Sequence, residues 1–269
     1  VDTLKTVLIR GGGDLASGVA AVLHRNGWRV LICELPAPLV VRRKVSFAEA
    51  VWEGSCKVEE IEAYLAGNVS EIEDIFARKA IPVLTDPEIK IMDSMNFDAI
   101  IDGRMLKRYE ENPLFGKIPL IGLGPGFVAG GNCDAVIETN RGPGLGQAIF
   151  TGSAEENTGI PGIVNGYGLE RVLYAPAEGI LESYVKIGDK VSRGQPIGRV
   201  GNIEFHAPFD GVVRGLARAG MRLQKGIKVG DIDPRMDVSM CYTISDKALL
   251  IGKGVLTALE SIFAGSTND

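Results

Sequence analysis

Gly11-Gly12-Gly13-Asp14-Leu15-Ala16 lies between the apolar run Thr6-Val7-Leu8-Ile9 and a helical pattern with Leu15, Val19, Val22 and Leu23 on one face. Gly27 closes that pattern, and Arg29-Val30-Leu31-Ile32-Cys33 reads as a second strand ending on Glu34. Strand, glycine turn, helix, strand, acid is the order of a dinucleotide-binding βαβ unit. Gly11 permits the tight turn, Gly13 lets a diphosphate approach the backbone, and Ala16 is small enough for helix and strand to pack closely. The helix start offers N–H groups and a partial positive charge to an anion, with Ser17 beside it. Glu34 is placed to accept hydrogen bonds from ribose hydroxyls. Asp14 is discordant, because its charge opposes a diphosphate; the alternative is a helix cap. The plainer reading is a βαβ unit whose glycines only make a turn.

The chain has 269 residues, enough for one large domain or two modest ones, and 45% are hydrophobic, enough for a proper core. The net charge of −5 and the lack of a long basic run argue against a nucleic-acid surface; Arg42-Arg43-Lys44 is too short to change that. No apolar stretch of membrane-spanning length and no leader is read, and the four cysteines lack metal-site spacing. The expectation is therefore a cytoplasmic protein with reduced thiols, no membrane partner and no metal site.

From Val1 to Gly166 strands and helices alternate. Ser46-Phe47-Ala48-Glu49 and Ser70-Glu71-Ile72-Glu73 read as capping boxes, the first helix stopping at Gly54. Lys57 to Ala66 is ambiguous between strand and helix. The runs at 81–84, 99–101, 118–121 and 135–137 fit a mostly parallel, buried sheet. Ser245 to Gly265 reads as a helix capped by Ser245, with Leu249, Leu256, Leu259 and Phe263 on its apolar face.

From Val172 the chain repeats itself. Ala175-Pro176-Ala177-Glu178-Gly179 returns as Ala207-Pro208-Phe209-Asp210-Gly211, and Gly188, Gly194 and Gly198 return as Gly220, Gly226 and Gly230, offset by 32 residues. Ala175–Val200 and Ala207–Ile232 thus read as two copies of one β-unit that interlock into a small two-fold barrel. This segment resembles the biotinyl/lipoyl barrel-sandwich hybrid. Carriers of that type hold a lysine between the halves, but here no lysine lies between Arg199 and Arg214. The resemblance therefore implies the fold and argues against a swinging arm.

Candidate chemistry gathers at strand ends. Gly122-Leu123-Gly124-Pro125-Gly126 follows a strand, and its small residues suit an anion-binding nest, with Gly124 and Gly126 in it. Arg104 follows the 99–101 strand and Arg141 the 135–137 strand, placed to grip phosphate or pterin groups. Arg42 and Arg43 follow the second strand, near the edge of a bound cofactor, or form a solvated basic turn. Cys133 is the one cysteine in a glycine loop; it is a candidate nucleophile, sulfur acceptor or metal ligand, or else structural. No G-x-S-x-G elbow, P-loop or H-E-x-x-H string is present, and two histidines leave little for a Ser-His-Asp machine.

Several stretches together carry a family resemblance. They are Ile9 to Ala20, Pro38 to Phe47, Gly122 to Phe127, and Cys133-Asp134-Ala135-Val136-Ile137-Glu138-Thr139-Asn140-Arg141-Gly142. In these the chain resembles the YqeB-type accessory proteins of selenium-dependent molybdenum hydroxylase systems, and more distantly the XdhC-type chaperones. The resemblance implies a maturation factor that binds a molybdenum pterin dinucleotide or similar phosphorylated ligand, with a molybdenum hydroxylase apoenzyme or its maturation proteins as partner. On that reading Gly11, Gly13, Ser17 and Glu34 contact the ligand, Arg42, Arg43 and Arg141 neutralise its charge, and Cys133 touches metal or carries sulfur or selenium. An NAD(P)-dependent oxidoreductase and a non-catalytic scaffold are the alternatives. The expected architecture is α/β: a Rossmann-like, mostly parallel sheet over 1–166, a small all-β barrel-sandwich hybrid over 167–234, and a strand and helix over 235–269.

Overall fold

The computed structural model describes residues 4–156 and 162–265. They form a mixed α/β protein: a large, mostly parallel sheet, further antiparallel sheets and a C-terminal helix. The chain divides into two compact units, one of residues 4–38, 47–156 and 244–265, the other of 39–46 and 162–243. The C-terminal helix thus belongs with the first unit, and the Arg42-Arg43-Lys44 segment with the second.

The first unit is built on β1 (Thr6–Arg10), α1 (Asp14–Arg25), β2 (Arg29–Glu34), α2 (Ala50–Glu53), β3 (Ser55–Val58), β4 (Ile61–Ala66), α3 (Val69–Ala77), β5 (Ile81–Thr85), β6 (Ala99–Asp102), β7 (Leu120–Leu123), β8 (Val128–Ala129), β9 (Ala135–Ile137), β10 (Ala148–Ile149), β11 (Gly152–Ser153) and, after the second unit, α4 (Asp246–Gly265). Nine strands make one sheet in the order β10-β9-β7-β6-β1-β2-β5-β4-β3. It is parallel from β9 to β4, with antiparallel strands β10 and β3 at its two edges. The continuous apolar runs Val7-Leu8-Ile9, Val30-Leu31-Ile32 and Ala99-Ile100-Ile101 are fully or almost fully buried, as strands covered on both faces must be. The ambiguous 57–66 stretch is the β3–β4 hairpin. Chain order reverses at β1: α1 carries the chain to β2 on one side, and β6 pairs on the other. A parallel sheet opens a crevice at such a point, beyond the carboxyl ends of its strands.

Two helix starts differ from their sequence signatures. The cap of α3 is Asn68, whose side chain accepts from Glu71 N–H while the Glu71 carboxylate accepts from Asn68 and Gly67, so Ser70 already lies inside the helix. The Ser46 hydroxyl donates to the Arg42 carbonyl, and a 3-10 turn over Phe47–Glu49 precedes α2, which ends on Gly54 with φ +77°.

Helix α1 is buried from Ala16 through Leu23, on more than one face, because α4 packs on it as well as the sheet. Close approach is set by glycines: a Cβ on Gly252 would come 2.7 Å from Val22, and one on Gly18 would collide with Ala248. The buried face of α4 is therefore the small one (Ala248, Ile251, Gly252, Gly254, Val255, Ala258, Leu259), while Leu249, Leu256 and Phe263 are only partly covered. The glycines that weaken the isolated helix are required for its docking. By length and composition α4 is also apolar enough to cross a membrane, with mean hydropathy 1.5, which corrects the expectation that no stretch reaches that length.

The second unit holds β12 (Val172–Tyr174), β13 (Gly179–Ser183), β14 (Lys190–Val191), β15 (Pro196–Val200), β16 (Ile203–His206), β17 (Gly211–Leu216), β18 (Arg222–Leu223) and β19 (Lys228–Asp233). They form two four-stranded antiparallel sheets, β12-β19-β17-β14 and β16-β15-β13-β18. Shifting the chain by 32 residues carries β13 onto β17, β14 onto β18 and β15 onto β19, and so carries one sheet order onto the other. Each sheet takes strands from both repeats. Neither repeat closes alone, and Leu181, Val191, Ile197 and Val200 share one core with Val213, Leu223, Val229 and Ile232.

Candidate functional site

The first glycine turn binds its own chain. Gly11, with φ +91°, makes the turn and donates its N–H to Cys33 O at 2.7 Å. Gly12 N–H donates to Glu34 Oε2 at 2.6 Å, and Leu35 N–H donates to Glu34 Oε1 at 2.7 Å. Both carboxylate oxygens of the residue expected at a ribose thus hold backbone amides. Phe47 and Ala48 cover the turn: Ala48 N–H donates to Gly12 O, Phe47 N–H donates to Ser17 Oγ, and Ser17 Oγ donates to Gly12 O. A Cβ on Gly12 would stand 2.9 Å from Ala48 N, so Gly12 is the glycine that close approach demands, and what approaches is protein. Gly13 is the N-cap of α1 with no side-chain cap, and Asp14 is the first helical residue. Replacing Glu34 by Gln leaves one acceptor oxygen for two buried amides. The expected cost is about 1–3 kcal/mol, read as a lower urea midpoint; an unchanged midpoint would show that the carboxylate does not hold the turn.

The second glycine loop is packed in the same way. The N–H groups of Gly124, Gly126 and Phe127 donate to Ile137, Leu106 and Gly124 carbonyls, so they are not turned toward a shared anion. Added Cβ atoms on Gly122 and Gly126 would collide with Phe127 and Leu106. Arg104 forms a two-pronged pair with Asp102, through Nε at 2.9 Å and Nη2 at 2.8 Å, and Arg10 joins the same buried carboxylate at 3.4 Å. Arg42 and Arg43 lie in the second unit; Arg42 donates to Met240 and Thr243 carbonyls and Arg43 to Leu216. Arg141 makes an exposed pair with Asp246, with both contacts at 3.1 Å.

Cys133 is 0% exposed, and burial pushes its thiol up to about 12, against the opposing pull of backbone hydrogen bonds. A nucleophilic thiolate needs the reverse environment. Cys33 and Cys56 are also raised by burial, and Cys241 is buried with its thiol raised too. The folded protein is therefore expected to release less than one equivalent of thionitrobenzoate from Ellman's reagent at pH 8, and four after denaturation. Rapid release of one equivalent from the folded state, mapped to Cys133, would contradict that burial.

The open space lies beside the second glycine loop. Met105 after β6, Pro125 after β7, and Thr139 and Asn140 after β9 line a cleft of about 180 Å³ with Lys107, Glu155 and Lys247. Three adjacent parallel strands thus deliver their carboxyl-end segments to one place, and the first turn of α4 adds a lysine. Glu138 fixes the cleft wall from behind: it is 5% exposed and accepts Asn140 N–H at 2.6 Å and Glu155 N–H at 2.7 Å. Asn140 Nδ2 holds the Glu155 carboxylate at 3.1 Å.

Lys247 is the half-buried charge of this cleft. Among the described residues its ammonium makes no hydrogen bond and no ion pair. Burial lowers its pKa and the Arg141 charge lowers it further, while Asp14, Glu138 and Asp246 pull it up. Lys107 is exposed and likewise unpaired among the described residues, and the Thr139 hydroxyl lies in the wall. Two ammonium groups, an amide and a hydroxyl against one carboxylate make a seat for a small anion. Neither Lys247 nor Lys107 carries a sequence signal. One is the second residue of an ordinary helix and the other follows a strand by five residues; only the fold brings them together.

No protein-family model matches the chain. Among curated proteins it is similar to "Uncharacterized protein YqeB" of Escherichia coli (strain K12), with 45% identity over 253 residues, 94% of this chain and 47% of that protein. The chain spans about half the length of that relative. Likenesses to solved structures are slight: an aspartoacylase family protein of Mesorhizobium loti (14% identity, 86% of this chain and 85% of that one, TM-score 0.28) and the malate dehydrogenase of Cryptosporidium parvum (12% identity, 45% and 38%, TM-score 0.23). At those scores neither bears on fold or activity. The identity to YqeB is spread over nearly all of this chain.

Proposed function

We propose that the chain is an accessory factor for maturation of a selenium-dependent molybdenum hydroxylase, and that it holds an anionic group of a molybdenum pterin dinucleotide, or of a similar phosphorylated ligand, in the cleft around Lys247. The observation that carries this reading is the unpaired, half-buried ammonium of Lys247 facing the segments that follow β6, β7 and β9. Supporting it are the motif resemblance to the YqeB-type accessory proteins and the identity to YqeB. A space of about 180 Å³ takes a phosphate or carboxylate end, not a whole dinucleotide, so the rest of the ligand would lie outside it. In this reading β1–α1–β2 with β6 beyond β1 is Rossmann-like, and the repeated β-unit is a barrel-sandwich hybrid. The apoenzyme of the hydroxylase is the partner, in the cytoplasm.

The role of the first glycine turn changes accordingly. Gly11, Gly12, Ser17 and Glu34 form a self-contained corner rather than a diphosphate seat. That corner removes the usual support for an NAD(P)-dependent oxidoreductase, because the ribose acceptor is already occupied. It is the one observation that favours a scaffold with no small ligand. Calorimetric titration of the purified protein at low salt decides among the three. Micromolar binding of the pterin dinucleotide supports the proposal. NADH or NADPH binding in its place points to the oxidoreductase, and no binding of any of them points to the scaffold.

A further inference from the structure

We infer that the second unit carries a binding site of its own, for a phosphate monoester on a planar ring. The site is a cleft of about 470 Å³, lined by Arg43, Lys44, Lys186 and Tyr242 over a floor of Val185, Ile187 and Ala217. That volume lies within the usual range for organic ligands, about 300–1,000 Å³. Three cations line it and no carboxylate does. Lys44 and Lys186 are exposed and make no ion pair with any described residue. Elsewhere in the unit Arg214 and Arg235 are paired with the buried Asp231 and Asp233. Two lysines without an ion pair beside an apolar floor suit a ligand with a charged head and a flat body.

The walls are fixed. Arg43 Nε donates to Leu216 O at 2.8 Å, which ties the 39–46 segment of the unit to the end of β17. Leu216 N–H donates back to Val41 O at 2.8 Å. The Tyr242 hydroxyl lies over Gly188, where a Cβ would come 3.0 Å from it, and donates to Ile187 O at 3.5 Å. Ser183 Oγ, also in the lining, donates to Val185 O at 2.6 Å. Tyr242 is 46% exposed and lines the cleft, and an aromatic ring there suits stacking on a planar group. A phosphate would sit between Lys44 and Lys186, reached by two flexible ammonium groups that act as point charges.

The test is calorimetric titration of the full chain carrying Lys247→Glu, so that the first unit's cleft does not contribute, with adenosine monophosphate, riboflavin monophosphate, adenosine and inorganic phosphate as probes. One or both monophosphates are expected to bind at least about tenfold tighter than adenosine or inorganic phosphate. Adding Lys44→Glu and Lys186→Glu, both exposed positions, is expected to weaken that binding at least tenfold while the far-ultraviolet circular dichroism stays unchanged. Tyr242→Ala is expected to weaken the monophosphates but not inorganic phosphate. Absence of monophosphate binding at millimolar concentration, affinities equal to inorganic phosphate, or indifference to the double charge reversal would each overturn the inference. The pterin dinucleotide titration of the unaltered protein reports separately on the first unit.

Discussion

Lys247→Glu is expected to weaken binding of the molybdenum pterin dinucleotide about 100-fold or more. A charge-assisted hydrogen bond contributes about 1.5–3 kcal/mol, and glutamate replaces attraction by repulsion at the same place; a loss of about 2.7 kcal/mol is already 100-fold. Lys247→Met separates charge from packing. It keeps the apolar stem and should lose about tenfold in affinity with no loss of stability, because burial already disfavours the charged form of this side chain. The pH dependence follows. The ammonium is the binding form, and its pKa lies below the ordinary lysine value of 10.5, so affinity should fall with rising pH earlier than an exposed lysine would allow. Calorimetry from pH 7 to pH 10 reads this directly. Equal affinity in wild type and Lys247→Glu would remove the lysine from the site.

The largest stability effect is expected at Gly122→Ala. Gly122 sits in β7, paired between β6 and β9, and its missing side chain is the space that the Phe127 ring fills. Phe127 is 0% exposed, so a single methyl group leaves the ring nowhere to go. Overpacking of this kind costs about 3 kcal/mol, or a melting temperature lower by about 6–12 °C in a protein of this size. Gly142→Ala is the control: a Cβ there meets no heavy atom within 4 Å, so its midpoint should move by less than about 0.5 kcal/mol. Equal midpoints for the two variants would mean that Phe127 does not occupy the space beside β7.

Much of the architecture was legible from apolar periodicity. The runs at 6–9, 29–33, 81–84, 99–101 and 135–137 became strands of the main sheet because short, uninterrupted apolar runs suit parallel strands covered on both faces. The 32-residue offset gave the paired sheets of the second unit, since the repeat was written in turn glycines as well as in core positions. The sites were less legible. A glycine string tells that something comes close, but not what: at Gly12 it is Ala48, at Gly122 Phe127, at Gly126 Leu106. Arginines at strand ends read as ligand grips until the fold reveals their carboxylates, Asp102 for Arg104 and Asp246 for Arg141. The apolar face of α4 was read from its largest residues, yet the face that docks is its smallest, because α1 approaches at glycine distance. Lys247 escaped notice because a lysine in a first helical turn is unremarkable until three strand ends surround it.

Native mass spectrometry of the chain after mixing with molybdenum pterin dinucleotide reads occupancy of the Lys247 cleft as added mass. Binding at Lys247 predicts a one-to-one adduct of the dinucleotide in the wild-type protein and the bare mass in Lys247→Glu under the same conditions. A bare mass for the wild type, or an adduct that survives in the variant, would contradict it.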